Sequence, residues 1–106
     1  MDFETKLVEG QRGKNPVLLG KKLASNPNAK CQTILFYGHY DVFPIKDAAA
    51  WKTNPFQLSG RNGFLFGRGT TDDKGPILAI LFAAYKFYSM QHSNTSECNL
   101  NFTFII

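Results

Sequence analysis

Blocks of apolar and polar residues along the chain predict several strands. A short apolar segment begins at Val17, directly after the turn expected at Asn15-Pro16. Residues 33–37, Thr-Ile-Leu-Phe-Tyr, are apolar on both faces, which predicts a strand buried on both sides. Residues 100–106 have the same apolar, β-prone character and predict the start of a further strand.

Between these strands the pattern indicates a hairpin and a helix. Asn62-Gly63 lies between two short apolar runs and predicts a tight β-hairpin, because this pair accepts the positive φ angles that the turn requires. Residues 77–90 are apolar around nearly the whole helical circumference, and Pro76 suits a first helical turn. We therefore expect a buried helix that is too short to span a bilayer. Polar loops are expected at residues 25–28 and 93–99.

Composition narrows the classes of function. A hydrophobic content of 43% and an aromatic content of 14% argue for a packed core. The net charge of +4 is not concentrated in a basic run, so no nucleic-acid partner is expected. The chain shows neither a signal-peptide pattern nor a membrane span, and its two cysteines are too few for a disulfide framework. We therefore expect a cytosolic α/β protein without a membrane partner.

The strand predicted at residues 33–37 is followed by Gly38-His39-Tyr40-Asp41. Residues two apart in an extended chain point to the same side, so the His39 and Asp41 side chains should both point the same way at the end of the strand. A carboxylate on one imidazole nitrogen orients the other nitrogen toward a divalent metal. A structural histidine bonded to a nearby aspartate is the competing interpretation, and these residues alone favour it.

Two adjacent carboxylates, Asp72 and Asp73, precede the predicted helix. Helix capping explains one carboxylate at this position, while a bridge between two metal ions would use a carboxylate with both oxygens. The motif alone is evenly divided between the two interpretations. Lys74 and Arg68 would either balance the negative charge or be exposed. Trp51 and Phe56, in the intervening segment, are expected to serve packing.

Blocks of sequence between residues 38 and 76 then match a known pattern in order and spacing. They are Gly-His-Tyr-Asp-Val at 38–42, Pro44, Trp-x-x-Asn-Pro-Phe at 51–56, Asn-Gly-Phe-Leu-Phe-Gly-Arg-Gly at 62–69 and Asp-Asp-Lys-Gly-Pro at 72–76. Together they resemble the co-catalytic zinc metallopeptidases, which include carnosine dipeptidase, Cys-Gly dipeptidase, aminoacylase and succinyl-diaminopimelate desuccinylase. The first and last blocks are most similar to the carnosine and Cys-Gly dipeptidase branch, which includes fungal glutathione-degradation subunits. The resemblance covers residues 15–106, and residues 1–14 match weakly.

The resemblance implies the N-terminal part of a three-layer α/β/α catalytic domain with a mixed, mostly parallel sheet. His39 resembles the histidine ligand of one zinc ion, and Asp72 resembles the carboxylate that bridges two. Asp41 resembles the catalytic aspartate that orients the metal-binding histidine. The peptide bond after Asp72 is cis in relatives. Asp73 departs mildly from the pattern, because this branch usually has Asn there.

The implied activity is metal-dependent hydrolysis of the peptide bond of dipeptides such as Cys-Gly, as in glutathione breakdown. The implied cofactor is a pair of Zn²⁺ ions, with Mn²⁺ as an alternative, and the implied partner is a small peptide substrate. In relatives a glutamate acts as general base soon after a strand like residues 100–106. We therefore expect this chain to lack the C-terminal half of the catalytic domain and the lid domain, with His92 solvated and no substitute for the missing histidine.

A chain with these ligands alone is expected to be inactive. The competing hypothesis is a non-catalytic fragment or subunit that acts by associating with a full-length relative or another partner, in a homo- or hetero-oligomer.

Overall fold

The computed structural model describes residues 2–25, 30–93 and 100–106, without the side chains of residues 92 and 93. Most of both predicted polar loops, and the predicted solvated state of His92, therefore lie outside the described residues. The elements in chain order are β1 (Glu4–Val8), β2 (Val17–Lys22), β3 (Gln32–Tyr37), β4 (Ser59–Arg61), β5 (Phe64–Phe66), a π-helical turn (Thr70–Lys74), α1 (Gly75–Ser93) and β6 (Leu100–Ile105).

The chain divides into two compact units, residues 1–38 with 80–106 and residues 39–79. The first unit contains a sheet with strand order β1-β2-β6-β3. β6 pairs with β3 in parallel and with β2 antiparallel, while β1 and β2 are antiparallel neighbours. The predicted mixed sheet is thus confirmed, but it is not mostly parallel among the described strands, where β3 with β6 is the one parallel pairing of the three.

The core of the first unit forms around the central strand β6. Phe102 and Phe104 are only 3% and 4% exposed, because alternate residues of β6 point toward one face. Ala84 of α1 packs in the same cluster. The ring of Phe36 stacks on Phe104 with centroids 4.9 Å apart, and Phe3 meets Phe104 edge-on at 5.4 Å. Burial of each phenylalanine contributes about 1.5–3 kcal/mol.

The predicted burial of β3 on both faces is wrong. Leu35 and Tyr37 are 59% and 77% exposed. β3 is an edge strand whose neighbour among the described residues is β6, so its apolar sequence is not covered. The strand itself, at Gln32–Tyr37, is confirmed.

The predicted burial of the helix around its whole circumference is also wrong. α1 begins at Gly75 with Pro76 in its first turn, as expected. Ala84 is buried, whereas Leu78, Phe82 and Met90 are 59–68% exposed. The described residues cover only one face of a helix whose composition suits contacts on all sides.

The second unit holds the predicted hairpin. β4 and β5 are antiparallel, with Arg61 opposite Phe64 across the turn. Asn62 and Gly63 have φ angles of 52° and 78°, the positive values that a tight two-residue turn needs. No helix within the described ranges is long and apolar enough to cross a membrane.

Candidate metal centre

Two segments of the second unit carry the site. The first, residues 39–42, follows β3 in the chain, and the second is the π-helical turn at Thr70–Lys74 before α1. The backbone N–H of His39 donates to Oδ2 of Asp73 at 3.3 Å. This bond joins the two segments directly, across 34 residues of sequence.

Gly69 lets the two segments approach closely. Its φ of 87° and ψ of −2° place it in the left-handed region at the start of the turn. A Cβ at this position would lie 2.6 Å from Cγ1 of Val42, which is closer than side chains pack. The Gly69 carbonyl accepts a hydrogen bond from the Lys74 N–H at 3.0 Å, and this bond closes the turn.

The imidazole of His39 lies between two carboxylates. Its Nε2 is 2.9 Å from Oδ1 of Asp72. Its Nδ1 is 3.1 Å from both the backbone carbonyl oxygen and Oδ1 of Asp41. The structure therefore brings together the three residues that the sequence selected, with His39 in contact with both aspartates.

The environment of His39 favours its protonated form. The pKa of His39 is raised above its ordinary value of 6.5, first by the backbone carbonyl of Asp41. Desolvation is the next effect in size and lowers the pKa, and the Asp72 and then the Asp41 carboxylates raise it further. The His39 side chain is 39% exposed, so solvent and ions reach it. Because a metal binds the neutral imidazole, metal binding here would displace a proton.

Both aspartates of the turn contact the histidine segment. Asp73 accepts a hydrogen bond from the backbone N–H of His39, and Oδ1 of Asp72 lies 2.9 Å from its Nε2. The peptide bond between them is cis, as the resemblance implied. The sequence did not assign a separate role to Asp73. The one feature that pointed to Asp73 was its position next to Asp72. Asp73 holds the backbone of His39 in place.

In the described part of the chain, the nearby basic residues do not neutralise the negative charge of the aspartates, and the nearby aromatic residues do not contribute to the site. Among the described residues, neither Arg68 nor Lys74 forms an ion pair with Asp72 or Asp73. The Arg68 guanidinium instead lies over the Trp51 ring, 5.4 Å from its centroid. Phe56 is 71% exposed, so its expected packing role is not seen within this chain.

The donors fit part of a divalent-metal centre. An imidazole and a carboxylate are ligands that zinc and related ions accept, and Asp41 supplies the outer partner that metal-binding histidines use. The described residues contain no group of three or more His, Cys, Asp or Glu placed to hold a metal ion. Zinc centres take three or four protein ligands, so His39 and Asp72 would be a partial set.

Comparison with known proteins identifies the family. The sequence profile of Peptidase family M20/M25/M40 matches residues 35–105. The chain belongs to this family. It is 37% identical over 100 residues to the Beta-Ala-His dipeptidase of Mus musculus, covering 94% of this chain and 19% of the mouse protein. It is 43% identical over 81 residues to the probable di- and tripeptidase DUG2 of Saccharomyces cerevisiae, covering 71% of this chain and 9% of that protein.

Solved structures of M20 proteins share the fold. Human carnosine dipeptidase 1 aligns with a TM-score of 0.70 at 35% identity, over 98% of this chain and 22% of that one. The M20 family metallo-carboxypeptidase Sso-CP2 from Sulfolobus solfataricus aligns with a TM-score of 0.76 at 30% identity, over 97% of this chain and 21% of that one. The chain thus spans about a fifth of the length of these M20 relatives. Use of a divalent metal is a property of the metallopeptidase family, while the predicted cytosolic location stays a prediction.

Proposed function

We propose that this chain supplies part of the dinuclear metal centre of an M20 peptidase that hydrolyses dipeptides. The observation that carries the proposal is the 2.9 Å approach of His39 Nε2 to Asp72 Oδ1, with Nδ1 of the same ring held by Asp41. Carboxylates beside both ring nitrogens match a ligand, its neighbour at the metal and its orienting group.

We propose a role for each residue from the contacts of its side chain. In the metal-bound form Asp41 would accept the Nδ1–H of His39, and the Nε2 lone pair would bind the metal. Asp72 has two oxygens, and its carboxylate would bridge the two ions. Asp73 accepts the backbone N–H of His39 and keeps the ring in position. A pair of Zn²⁺ ions, or Mn²⁺ in their place, would lower the pKa of a water molecule and polarise the scissile carbonyl.

The substrate class comes from the relatives. The matched proteins are named as a Beta-Ala-His dipeptidase, a probable di- and tripeptidase and the di-peptidase Dug1p of Saccharomyces cerevisiae. We propose small peptides such as Cys-Gly as substrates of the whole enzyme, in glutathione breakdown. The three carboxylates at the site all contact His39. We propose that other residues of the whole enzyme supply the general base and the remaining ligands.

A segment exchange tests these roles in a working enzyme. Residues 35–105 would replace the matching segment of the mouse Beta-Ala-His dipeptidase. We expect the chimera to hydrolyse β-Ala-His, and His39→Gln or Asp72→Asn within it to reduce hydrolysis to background. His92→Gln is the matched control, since the chain has two histidines. Full activity of the His39→Gln chimera would refute the ligand assignment.

A second candidate function is association without catalysis. The observation that favours it is the exposed apolar face of α1, on which Leu78, Phe82 and Met90 are 59–68% exposed. Exposed apolar patches mark protein interfaces. Co-expression with a tagged full-length M20 dipeptidase should recover this chain, and Phe82→Glu should abolish recovery while Gln91→Glu, the same charge on the same helix, should not. Failure to recover the unmodified chain, or equal recovery of the Phe82→Glu and Gln91→Glu variants, would contradict the association.

A further inference from the structure

The hairpin unit contains a cleft that the metal centre does not use. Its volume is about 380 Å³, within the range of small-molecule sites, and it is lined by residues 50–53 together with residues of β4 and β5. Trp51 and Phe66 give the cleft an aromatic surface. His39, Asp41 and Asp72 are not among its lining residues.

Two cations border this cleft, and both are exposed. Lys52 and Arg61 line it, and neither forms an ion pair with a carboxylate of the described residues. No aspartate or glutamate occurs in residues 48–71. The positive charge of the cleft is therefore not neutralised by the segment that builds it.

A third cation lies beside the aromatic surface. The Arg68 guanidinium stacks over the Trp51 ring at 5.4 Å, and its Nε is buried without a hydrogen-bond acceptor. This stacking adds positive charge next to the cleft. An aromatic wall with unpaired cations is complementary to a flat apolar ligand that carries a negative charge.

We propose that this cleft binds a small aromatic anion, with its ring against Trp51 and Phe66 and its carboxylate paired with Lys52 and Arg61. The site is separate from the peptidase centre and does not depend on its assignment. Apolar area and charge each contribute, because a ring alone would leave the two cations without a partner and a carboxylate alone would leave the aromatic surface uncovered.

The single tryptophan of the chain makes the test specific to this cleft. The ¹⁵N-labelled chain is titrated with 2-naphthoate while the indole N–H cross-peak of Trp51 is followed. We expect a saturable shift of this peak. We also expect roughly tenfold weaker binding of 2-naphthamide, which lacks the charge, and of acetate, which lacks the ring. An indole peak that does not move, or equal binding of naphthoate and naphthamide, would overturn the proposal.

Variants locate the charges that matter. Lys52→Gln with Arg61→Gln should weaken naphthoate binding by roughly tenfold. Lys46→Gln with Arg12→Gln removes the same net charge away from the cleft lining and should leave binding unchanged. Equal weakening by both pairs would show a general charge effect and overturn the site. Because a hairpin variant could unfold, the unmodified chain is also titrated at increasing salt, where affinity for naphthoate should fall and affinity for naphthamide should not.

Discussion

Nε2 of His39 lies 2.9 Å from Oδ1 of Asp72, a residue 33 positions further along the chain. The contact depends on a hydrogen bond from the His39 backbone to Asp73 and on the close passage of Val42 against Gly69. A ring nitrogen and a carboxylate oxygen at this separation would have to part slightly to admit a cation between them, and both side chains are exposed enough to do so.

The pKa of His39 should depend on both neighbouring aspartates. In the metal-free chain we expect His39 to titrate above 6.5 by NMR. Asp72→Asn removes a charge at hydrogen-bond distance and should lower this pKa more than Asp41→Asn, which retains the Asp41 backbone carbonyl that is the main cause of the shift. Equal or upward shifts in both variants would contradict the geometry.

The raised pKa has a consequence for stability with a definite sign. The protonated ring is favoured in the folded chain, so its contribution is present below pH 6.5 and is lost as the pH rises through the higher folded pKa. Urea unfolding of the metal-free chain should show this decline, and His39→Gln should remove it. A decline that persists in His39→Gln would assign it to other groups.

Asp41 should act through His39 rather than as a ligand. Replacing an outer-shell partner of a metal-binding histidine lowers metal affinity by roughly 10- to 100-fold. We expect Asp41→Asn to weaken Zn²⁺ binding to the chain by such a factor, measured by competition with a chromophoric chelator. Asp47→Asn is the matched control, because Asp47 is bonded to the nearby Ala49 N–H instead. Equal affinities of the two variants would remove Asp41 from the site.

Gly69 should be intolerant of a side chain. A Cβ in the left-handed region costs about 1–2 kcal/mol, and crowding in a packed contact adds about 1–3 kcal/mol. Gly69→Ala should therefore lower the free energy of unfolding more than Gly13→Ala, because Gly13 has a similar φ of 80° but no atoms within 4 Å of the added Cβ. If Gly69→Ala and Gly13→Ala lowered the free energy of unfolding equally in urea, the close contact between Gly69 and Val42 would not be maintained.

The chain alone should not hydrolyse peptides. The two proposed metal ligands, His39 and Asp72, are fewer than a zinc centre requires, and the carboxylates described at the site contact His39. We expect no release of glycine from Cys-Gly with Zn²⁺ or Mn²⁺ added. Hydrolysis that is abolished by His39→Gln would contradict this expectation while leaving the family assignment intact.

Local signals in the sequence were sufficient for the hairpin and the start of the helix. Asn62-Gly63 and Pro76 act through backbone angles that do not depend on the rest of the fold. β1 was not predicted, because Glu4–Val8 has no strong apolar alternation and becomes a strand by pairing with β2, from Glu4 with Lys21 to Val8 with Val17. Antiparallel pairing of this kind is a property of the tertiary fold.

For burial and for the geometry of the site as well, local sequence predicted one part and the tertiary structure determined the rest. The apolar sequences of β3 and α1 correctly predicted their secondary structure but not their exposure, which depends on what lies against them. His39 and Asp41 are close in sequence, so their contact could be expected from an extended backbone. The position of Asp72 against His39 could not be derived from either motif alone. It required the family pattern, and the role of Asp73 required the structure.

Paramagnetic relaxation by Mn²⁺ shows whether a metal binds at His39 and Asp72, because it detects even weak binding at the positions of the ligands. Mn²⁺ is titrated into the ¹⁵N-labelled chain, in parallel with the His39→Gln and His92→Gln variants. We expect the signals of His39, Asp41, Asp72 and Asp73 to broaden first in the unmodified chain and in His92→Gln, and we expect His39→Gln to lose this selective broadening. Broadening centred elsewhere, or unchanged in His39→Gln, would contradict a metal site at His39 and Asp72.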